Sequence, residues 1–178
     1  MRETLKPAKA PRAKTIGVGA FTTAYLLPTG GVFLRSTCWT KEALALFPVR
    51  GELFPKITQV GLGEYFMEYH PKTASLKNSL LGAEYAFYRL LREIHALHIR
   101  GMGRQFWTGI FTNYSLSHPQ FLLYFLQLCE AVESLANYDE EEICFEISPR
   151  NVRAVRGRLL LLDVFYFKKQ LITLRNKK

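Results

Sequence analysis

Long apolar runs are missing from this sequence. No segment approaches the roughly 18–20 consecutive apolar residues that a membrane-spanning helix needs, so we expect no membrane partner. The first twelve residues carry prolines and basic residues without a hydrophobic stretch, which does not match a secretory signal. Both absences favour a protein that folds and acts in the cytoplasm.

Cysteine is scarce, and its spacing excludes two common structural devices. Cys38, Cys129 and Cys144 are odd in number, far apart and without a CxxC pair. This pattern predicts reduced thiols rather than a disulfide framework or a zinc site. His95 and His98 lie one helical turn apart but have no evident third ligand. We therefore expect any metal to be held by oxygen ligands.

Acidic residues are too few to balance the basic ones. The 24 lysines and arginines outnumber the 15 acids, which gives a net charge of +9 and favours anionic partners. Much of the excess lies in segments 1–14 and 168–178, where basic clusters are typical of solvated tails. No nucleic-acid motif accompanies the charge. A nucleotide or a protein is therefore the expected partner, and nucleic acid is the less favoured alternative.

The apolar content of 48% excludes general disorder, and 178 residues are enough for one domain or for two small lobes. Runs of β-favouring residues and helical periodicity predict the order of the elements. Strands are predicted over 15–19, 21–27, 32–37, 57–61 and 65–69, helices over 39–47, 80–99 and 119–138, and a hairpin over 152–162. The expected fold class is α+β, with a flexible basic arm (1–13), a five-stranded antiparallel small lobe (14–70) and a reduced helical lobe (71–178).

Two glycines join the first two predicted strands, because segment 17–21 reads GVGAF. A glycine backbone can turn tightly and bring its N–H groups close to phosphate oxygens. A dinucleotide-binding fold is not expected, since a helix and not a strand should follow such a loop. Taken alone, the pattern is equally typical of an ordinary hairpin turn.

The C-terminal half carries the more specific pattern. Segment 144–151 reads CFEISPRN, and segment 161–165 reads LLDVF after the predicted hairpin. Together they resemble the catalytic loop H-R-D-L-K-P-x-N and the following metal-binding Asp of the protein-kinase-like superfamily. In that chemistry a carboxylate accepts the substrate hydroxyl proton, while a carboxamide and a second carboxylate hold Mg²⁺ against the triphosphate. The resemblance assigns these roles to Glu146, Asn151 and Asp163.

The resemblance extends from about residue 15 to residue 165 and implies a nucleotide site. Arg35 stands on the third strand where kinases carry the phosphate-gripping lysine, and Glu42 would be its partner acid. Segment 65–69, YFMEY, resembles the last strand and hinge of a kinase small lobe. The residues implied to bind ATP are Gly17, Gly19, Phe21, Arg35, Met67, Glu68 and Tyr69. Two simpler interpretations stay open: segment 65–69 as an ordinary buried strand, and Arg35 with Glu42 as surface residues.

Three departures from the kinase pattern bear on activity. Arginine replaces lysine at position 35, and the two side chains are not interchangeable at a tight site. Glu146 replaces an aspartate, and a shift of roughly 1 Å at a catalytic group can cost about 10²-fold in rate. Glu146 could instead be the end of the acidic run 139–142. Only fifteen residues, 164–178, follow Asp163, so no activation segment is expected.

Within the superfamily, the chain resembles the minimal early host-takeover protein kinases of short-tailed coliphages. The resemblance implies an ATP- and Mg²⁺-dependent Ser/Thr protein kinase that acts on host proteins or on itself in the host cytoplasm. The departures motivate the alternative, a pseudokinase that binds a host protein and inhibits or redirects it. Whether the chain is an enzyme stays open at this point.

Overall fold

The computed structural model describes residues 13–98 and 100–175. It has the predicted α+β class: a five-stranded antiparallel sheet comes first, and a mainly helical part with a late hairpin follows. The predicted basic arm lies outside the described residues except for residue 13. Within the described part of the chain, no helix is long and apolar enough to cross a bilayer.

The sheet has the strand order β1-β2-β3-β5-β4, and every neighbouring pair is antiparallel. One helix, α1, connects β3 to β4. The observed ends lie within one residue of the predicted ones. The bounds are β1 (Lys14–Val18), β2 (Thr22–Leu26), β3 (Gly31–Ser36), α1 (Trp39–Leu46), β4 (Ile57–Gly61) and β5 (Glu64–Glu68).

The first four helices of the helical part are two predicted ones and two that sequence reasoning did not find. The bounds are α2 (Leu76–Ser79), α3 (Gly82–Leu97), α4 (Arg104–Ser117) and α5 (Leu122–Tyr138). The predicted ones are α3 and α5, and the ones not found are α2 and α4. Helix α4 occupies the glycine- and aromatic-containing stretch for which no element was predicted. Its Trp107 and Phe111, four residues apart on one face, are fully buried. The burial of this aromatic stripe explains why a segment with Gly109 inside it stays helical.

Two short strands, a hairpin and a helix complete the described fold. The bounds are β6 (Ile143–Phe145), β7 (Val152–Val155), β8 (Arg158–Leu161), β9 (Phe165–Phe167) and α6 (Lys168–Arg175). Strands β6 and β9 pair antiparallel, as do β7 and β8. Arg156 and Gly157 both have positive φ, at 52° and 82°. Two successive positive φ values match the twist of a two-residue hairpin, so the predicted turn at 156–157 is confirmed.

The side chains of β3 point alternately to the two faces of the sheet, and only one of these faces contacts α1. Val32 and Leu34 are buried together with Tyr65 of β5, and Ala45 of α1 packs against this cluster. Arg35 lies between buried positions and is exposed. Since successive residues of a strand point to opposite faces, Arg35 lies on the face of the sheet away from α1.

The larger core joins α1 to the helical part. Ala43 of α1 and the segment containing Leu53 and Phe54 are buried in the same cluster as α3, α4, α5 and β6. Phe54 stacks on Phe165 of β9, with ring centroids 6.3 Å apart. Helix α1 is therefore held between the sheet and the helical part. The predicted division into lobes at residues 70 and 71 stays a prediction.

Candidate functional site

Backbone hydrogen bonds bring the three residues of the catalytic-loop pattern together. The Glu146 amide donates to the Val164 carbonyl, and the Leu162 amide donates to the Asn151 carbonyl, both at 2.8 Å. These two bonds attach the ends of the loop to the residues on either side of Asp163. The spacing in the sequence thus becomes proximity in space.

A partly buried tyrosine links the two predicted metal ligands. The Asn151 Nδ2 donates to the Tyr166 hydroxyl at 3.2 Å, and that hydroxyl donates to the Asp163 carbonyl oxygen at 3.0 Å. Burial raises the pKa of Tyr166, and the charges of Asp163 and Glu146 raise it further. The hydroxyl therefore stays protonated and acts as a donor. Sequence reasoning did not identify Tyr166, although it comes only three residues after Asp163.

Asp163 is paired with a lysine that sequence reasoning also missed. The Lys41 Nζ contacts the Asp163 Oδ1 and connects α1 to the segment after β8. The Lys41 side chain is 7% exposed and that of Asp163 is 38% exposed. Burial, the largest single effect, lowers the pKa of Lys41, but the charges of Asp163 and Cys38 and the hydrogen bond to Asp163 together outweigh it, so the net pKa is raised. The cleft, meaning the space between α1 and the segment around Asp163, therefore holds an ammonium group beside the predicted metal-binding carboxylate.

The predicted pairing of Arg35 with Glu42 is wrong. The Arg35 Nε lies 3.3 Å from the Glu64 Oε1, and the Arg35 side chain is 63% exposed. Glu42 instead accepts a hydrogen bond of 2.8 Å from the Tyr138 hydroxyl. The reason is the alternation of β3, which directs Arg35 to the face opposite α1. The structure therefore does not bring Arg35 to Asp163, and its predicted contact with phosphates has no geometric support.

The predicted phosphate loop forms the connection between β1 and β2. The Gly19 amide donates to the Thr22 carbonyl at 2.8 Å, and Phe21 lies within the turn that this bond closes. Neither Gly17 nor Gly19 is among the described residues with positive φ. A Cβ at Gly17 would meet its nearest neighbour at 4.0 Å, and one at Gly19 at 3.6 Å, which are ordinary contacts. The described fold therefore does not require glycine at either position.

The predicted hinge is attached to the hairpin that follows the catalytic loop. Met67 and Glu68 pair with β3 inside the sheet, and Tyr69 comes next. Just beyond Tyr69, the His70 carbonyl accepts a hydrogen bond of 3.1 Å from the Arg153 Nε. Burial lowers the pKa of Arg153, although the charges of Tyr69 and Asp163 oppose the shift. Arg153 is thus a second cation whose charge interacts with that of Asp163, and sequence reasoning missed it.

The space behind the Lys41–Asp163 pair is small. A cavity of about 10 Å³ lies between α1, Phe54 and the segment 162–165. This volume is about that of one water molecule. A larger surface groove of about 330 Å³ lies between the start of α4 and the end of α5, and its lining includes none of the predicted site residues. A nucleotide therefore needs the cleft at Asp163 to open or must bind from its solvent side.

The oxygen ligands fit Mg²⁺ only in part. Asp163 has a second carboxylate oxygen besides the one that contacts Lys41, and the Asn151 amide oxygen takes no part in the bond to Tyr166. Mg²⁺ is commonly bound through one or two protein ligands together with substrate phosphates. In the described part of the chain, no group of three or more His, Cys, Asp or Glu side chains could hold a metal. The site thus suits a metal that arrives with phosphates.

One polar atom of the loop lacks a partner. The Ser148 Oγ is buried and forms no hydrogen bond with the described residues. Ser148 lies between Ile147, which is buried, and Pro149, which is exposed, where the chain turns from β6 toward Asn151. A buried hydroxyl of this kind usually costs free energy of folding.

Comparisons with known proteins find similarity in structure only. No protein-family model matches the chain. No curated protein sequence matches it either. The streptomycin–ATP–APH(2")-IIa ternary complex is similar over 89% of this chain and 67% of its own, at 13% identity and a TM-score of 0.41. The GDP and kanamycin complex of APH(2")-IIia is similar over 88% and 68%, at 12% identity and a TM-score of 0.37. Similarities this weak add no independent support, so a kinase-like assignment depends on this chain's own geometry.

Proposed function

We propose that the chain is a reduced protein-kinase-like phosphotransferase that binds ATP with Mg²⁺ between its sheet and its helical part. Its acceptor is a Ser or Thr hydroxyl of a protein, either the chain itself or a host protein if the chain is phage-encoded. The observation that carries the proposal is the meeting of a buried lysine with Asp163 beside the loop that holds Glu146 and Asn151. Phosphoryl transfer needs this combination of a cation, a carboxylate pair and a carboxamide.

Each residue of the loop has a role in this proposal. Asp163 and Asn151 would hold the metal through oxygen atoms, and Glu146 would accept the proton of the substrate hydroxyl or orient that hydroxyl. Bound Mg²⁺ would neutralise part of the phosphate charge. Tyr166 fixes the amide of Asn151 and the backbone of Asp163 relative to each other.

The turn between β1 and β2 supports a phosphate-binding role. Gly17 and Gly19 are not required by backbone conformation or by crowding in the described fold. A close approach of phosphate oxygens to the backbone is a physical reason for glycine at such positions. Phe21 would cover the phosphates, and the backbone of residues 67–69 would hold the adenine.

A second candidate function is supported by the small cleft. Ligand pockets usually enclose about 300–1,000 Å³, whereas the cavity at Asp163 encloses about 10 Å³. If the Lys41–Asp163 pair keeps the cleft closed, the same fold acts as a pseudokinase. Its function would then be to bind a host protein and to inhibit or redirect it.

Phosphate transfer tests the two candidates against each other. The wild-type chain is incubated with radiolabelled ATP, Mg²⁺ and a bacterial lysate, and phosphoserine and phosphothreonine are quantified. The phosphotransferase predicts labelled protein that is lost in Asn151→Ala and retained in Lys169→Met, an exposed lysine on α6. ATP binding without transfer would favour the pseudokinase. Absence of both binding and transfer would contradict the nucleotide site.

A further inference from the structure

We propose that Lys41 on α1, rather than Arg35 on β3, is the cation that holds the nucleotide phosphates beside Asp163. The inference rests on the proposed function and adds to it the residue that recognises the phosphates. It places the phosphate-binding charge on a helix instead of on the central strand of the sheet.

Two hydrogen bonds, one before and one after Lys41 in the sequence, fix the helix that carries it. The Trp39 amide donates to the Gln170 Oε1 at 3.1 Å, which attaches the start of α1 to α6. Glu42 accepts the hydrogen bond of Tyr138 from the end of α5. The two contacts are made two residues before and one residue after Lys41. The side chain therefore starts from a defined position, and its freedom lies in its own four-carbon stem.

The ammonium group has donors left for a ligand. An ammonium group carries three N–H donors, and the Lys41 Nζ uses one for Asp163. It forms no other hydrogen bond with the described residues. Arg153, the other cation in this region, already donates to backbone acceptors. Its guanidinium donates to the backbone carbonyls of His70, Arg150 and Val152. Lys41 is thus the better placed of the two to bind an anion.

Asp163 alone would repel a phosphate, because both groups are anionic. An ammonium group placed between the carboxylate and the phosphate oxygens attracts both and donates charge-assisted hydrogen bonds to both. The half-exposed side of Asp163 leaves one approach from solvent, while the cavity on the inner side holds about one water. A phosphate that enters from solvent can therefore reach the Lys41 ammonium after a small movement of its stem.

Arg35 cannot play this part in the observed arrangement. It is on the opposite face of the sheet, paired with Glu64 and lying 5.8 Å from the centre of the Phe33 ring. Bringing its guanidinium to Asp163 would require β3 to reverse its faces. A shift of this kind would expose the buried Val32 and Leu34.

The test compares nucleotides with and without phosphates. Lys41→Met removes the charge and keeps the length of the side chain, and Lys169→Met is the matched control on an exposed lysine. Affinities for ATP and for adenosine are measured by calorimetry in the presence of Mg²⁺. We expect Lys41→Met to weaken ATP binding about tenfold to a hundredfold, the worth of a charge-assisted hydrogen bond. Adenosine affinity should stay within about twofold, and Lys169→Met should change neither affinity.

Lys41→Arg provides a second variant that keeps the charge, and it should retain more ATP affinity than Lys41→Met. Circular dichroism verifies that each variant is folded, and Lys41→Gln replaces the methionine variant if that one is not. If the wild type binds ATP and the uncharged variants bind it equally well, the role of Lys41 is refuted and the proposed function stands. If the wild type binds neither ATP nor adenosine, both proposals fail.

Discussion

The Lys41–Asp163 pair should respond very differently to the loss of each partner. Asp163→Asn leaves the ammonium of Lys41 buried without a counter-charge. Lys41→Met leaves a carboxylate that water can still reach, because the Asp163 side chain is 38% exposed whereas that of Lys41 is 7% exposed. Both variants remove the same ion pair, so any difference between them comes from the partner left behind.

The burial of each partner sets the expected magnitude. Breaking a buried ion pair by removing one partner typically costs about 3–5 kcal/mol, because an uncompensated charge is left in the interior. Asp163→Asn should therefore destabilise the fold by about 3 kcal/mol. Lys41→Met places an apolar side chain next to Leu44, Phe54 and Ile57, which line the adjoining cavity, and leaves no charge buried without a partner, because the Asp163 side chain is partly exposed. Lys41→Met should therefore change the free energy of unfolding by less than about 1 kcal/mol.

Urea unfolding at pH 7, followed by circular dichroism, gives both values. A double variant completes a mutant cycle, and Asp163→Asn should cost less than about 1 kcal/mol once Lys41 is methionine. Arg50→Met is the control for an exposed ion pair, since the Arg50 side chain is 91% exposed beside Glu130. This variant should change the free energy of unfolding by less than about 0.5 kcal/mol. Equal costs for Asp163→Asn and Lys41→Met, or a larger cost for Lys41→Met, would refute the reasoning.

Three further outcomes are expected. Burial, as the largest cause, raises the pKa of Tyr65 and Tyr138 to about 12 in the folded chain. Between pH 10 and pH 12 the folded chain therefore keeps protons that the unfolded chain has released, so the free energy of unfolding should fall as the pH rises through this range. Glu84→Ala should destabilise by about 3 kcal/mol in urea, since its buried carboxylate accepts a backbone N–H of β8 and a tyrosine hydroxyl. Ser148→Ala should be neutral or should stabilise by about 1 kcal/mol, since it removes an unpartnered buried hydroxyl.

Each of these outcomes has its own control. An absorbance titration of the nine tyrosines should show a group that ionises later than free tyrosine, and a single transition near pH 10 would contradict the alkaline prediction. Glu93→Ala changes an exposed residue on the same helix as Glu84 and should cost less than about 0.5 kcal/mol. A loss of more than about 1 kcal/mol in Ser148→Ala would mean that its hydroxyl has a partner after all.

The parts of the fold that depend on local pattern were predictable. The strands 14–68 follow from β-favouring runs and turn residues, and the hairpin follows from Arg156-Gly157. Helix α4 was not predicted, because Gly103 and Gly109 mask an aromatic stripe whose burial becomes visible only in the tertiary structure. Its helical spacing from Trp107 to Phe111 was present in the sequence.

The site was predictable only where its residues are close in sequence. Glu146, Asn151 and Asp163 lie within one loop and hairpin, so their spacing indicated their proximity. Lys41 contacts a residue 122 positions away, and no local pattern reveals such a pairing. The face of Arg35 was ambiguous because the neighbouring residues Phe33 and Leu34 are both apolar and do not alternate. The motif alone therefore indicated Arg35, whereas the structure places Lys41 beside Asp163.

Affinity labelling of Lys41 tests the central claim most directly. An ATP analogue with an acyl group on its terminal phosphate is mixed with the chain at mildly alkaline pH, where a small fraction of lysine is unprotonated. The amine attacks the acyl carbon, an amide forms, and ATP and a proton are released. Mass spectrometry should find the acyl group on Lys41, and excess ATP should prevent the labelling. Labelling of other lysines alone, or labelling of Lys41 that ATP does not prevent, would contradict a phosphate site at the Lys41–Asp163 pair.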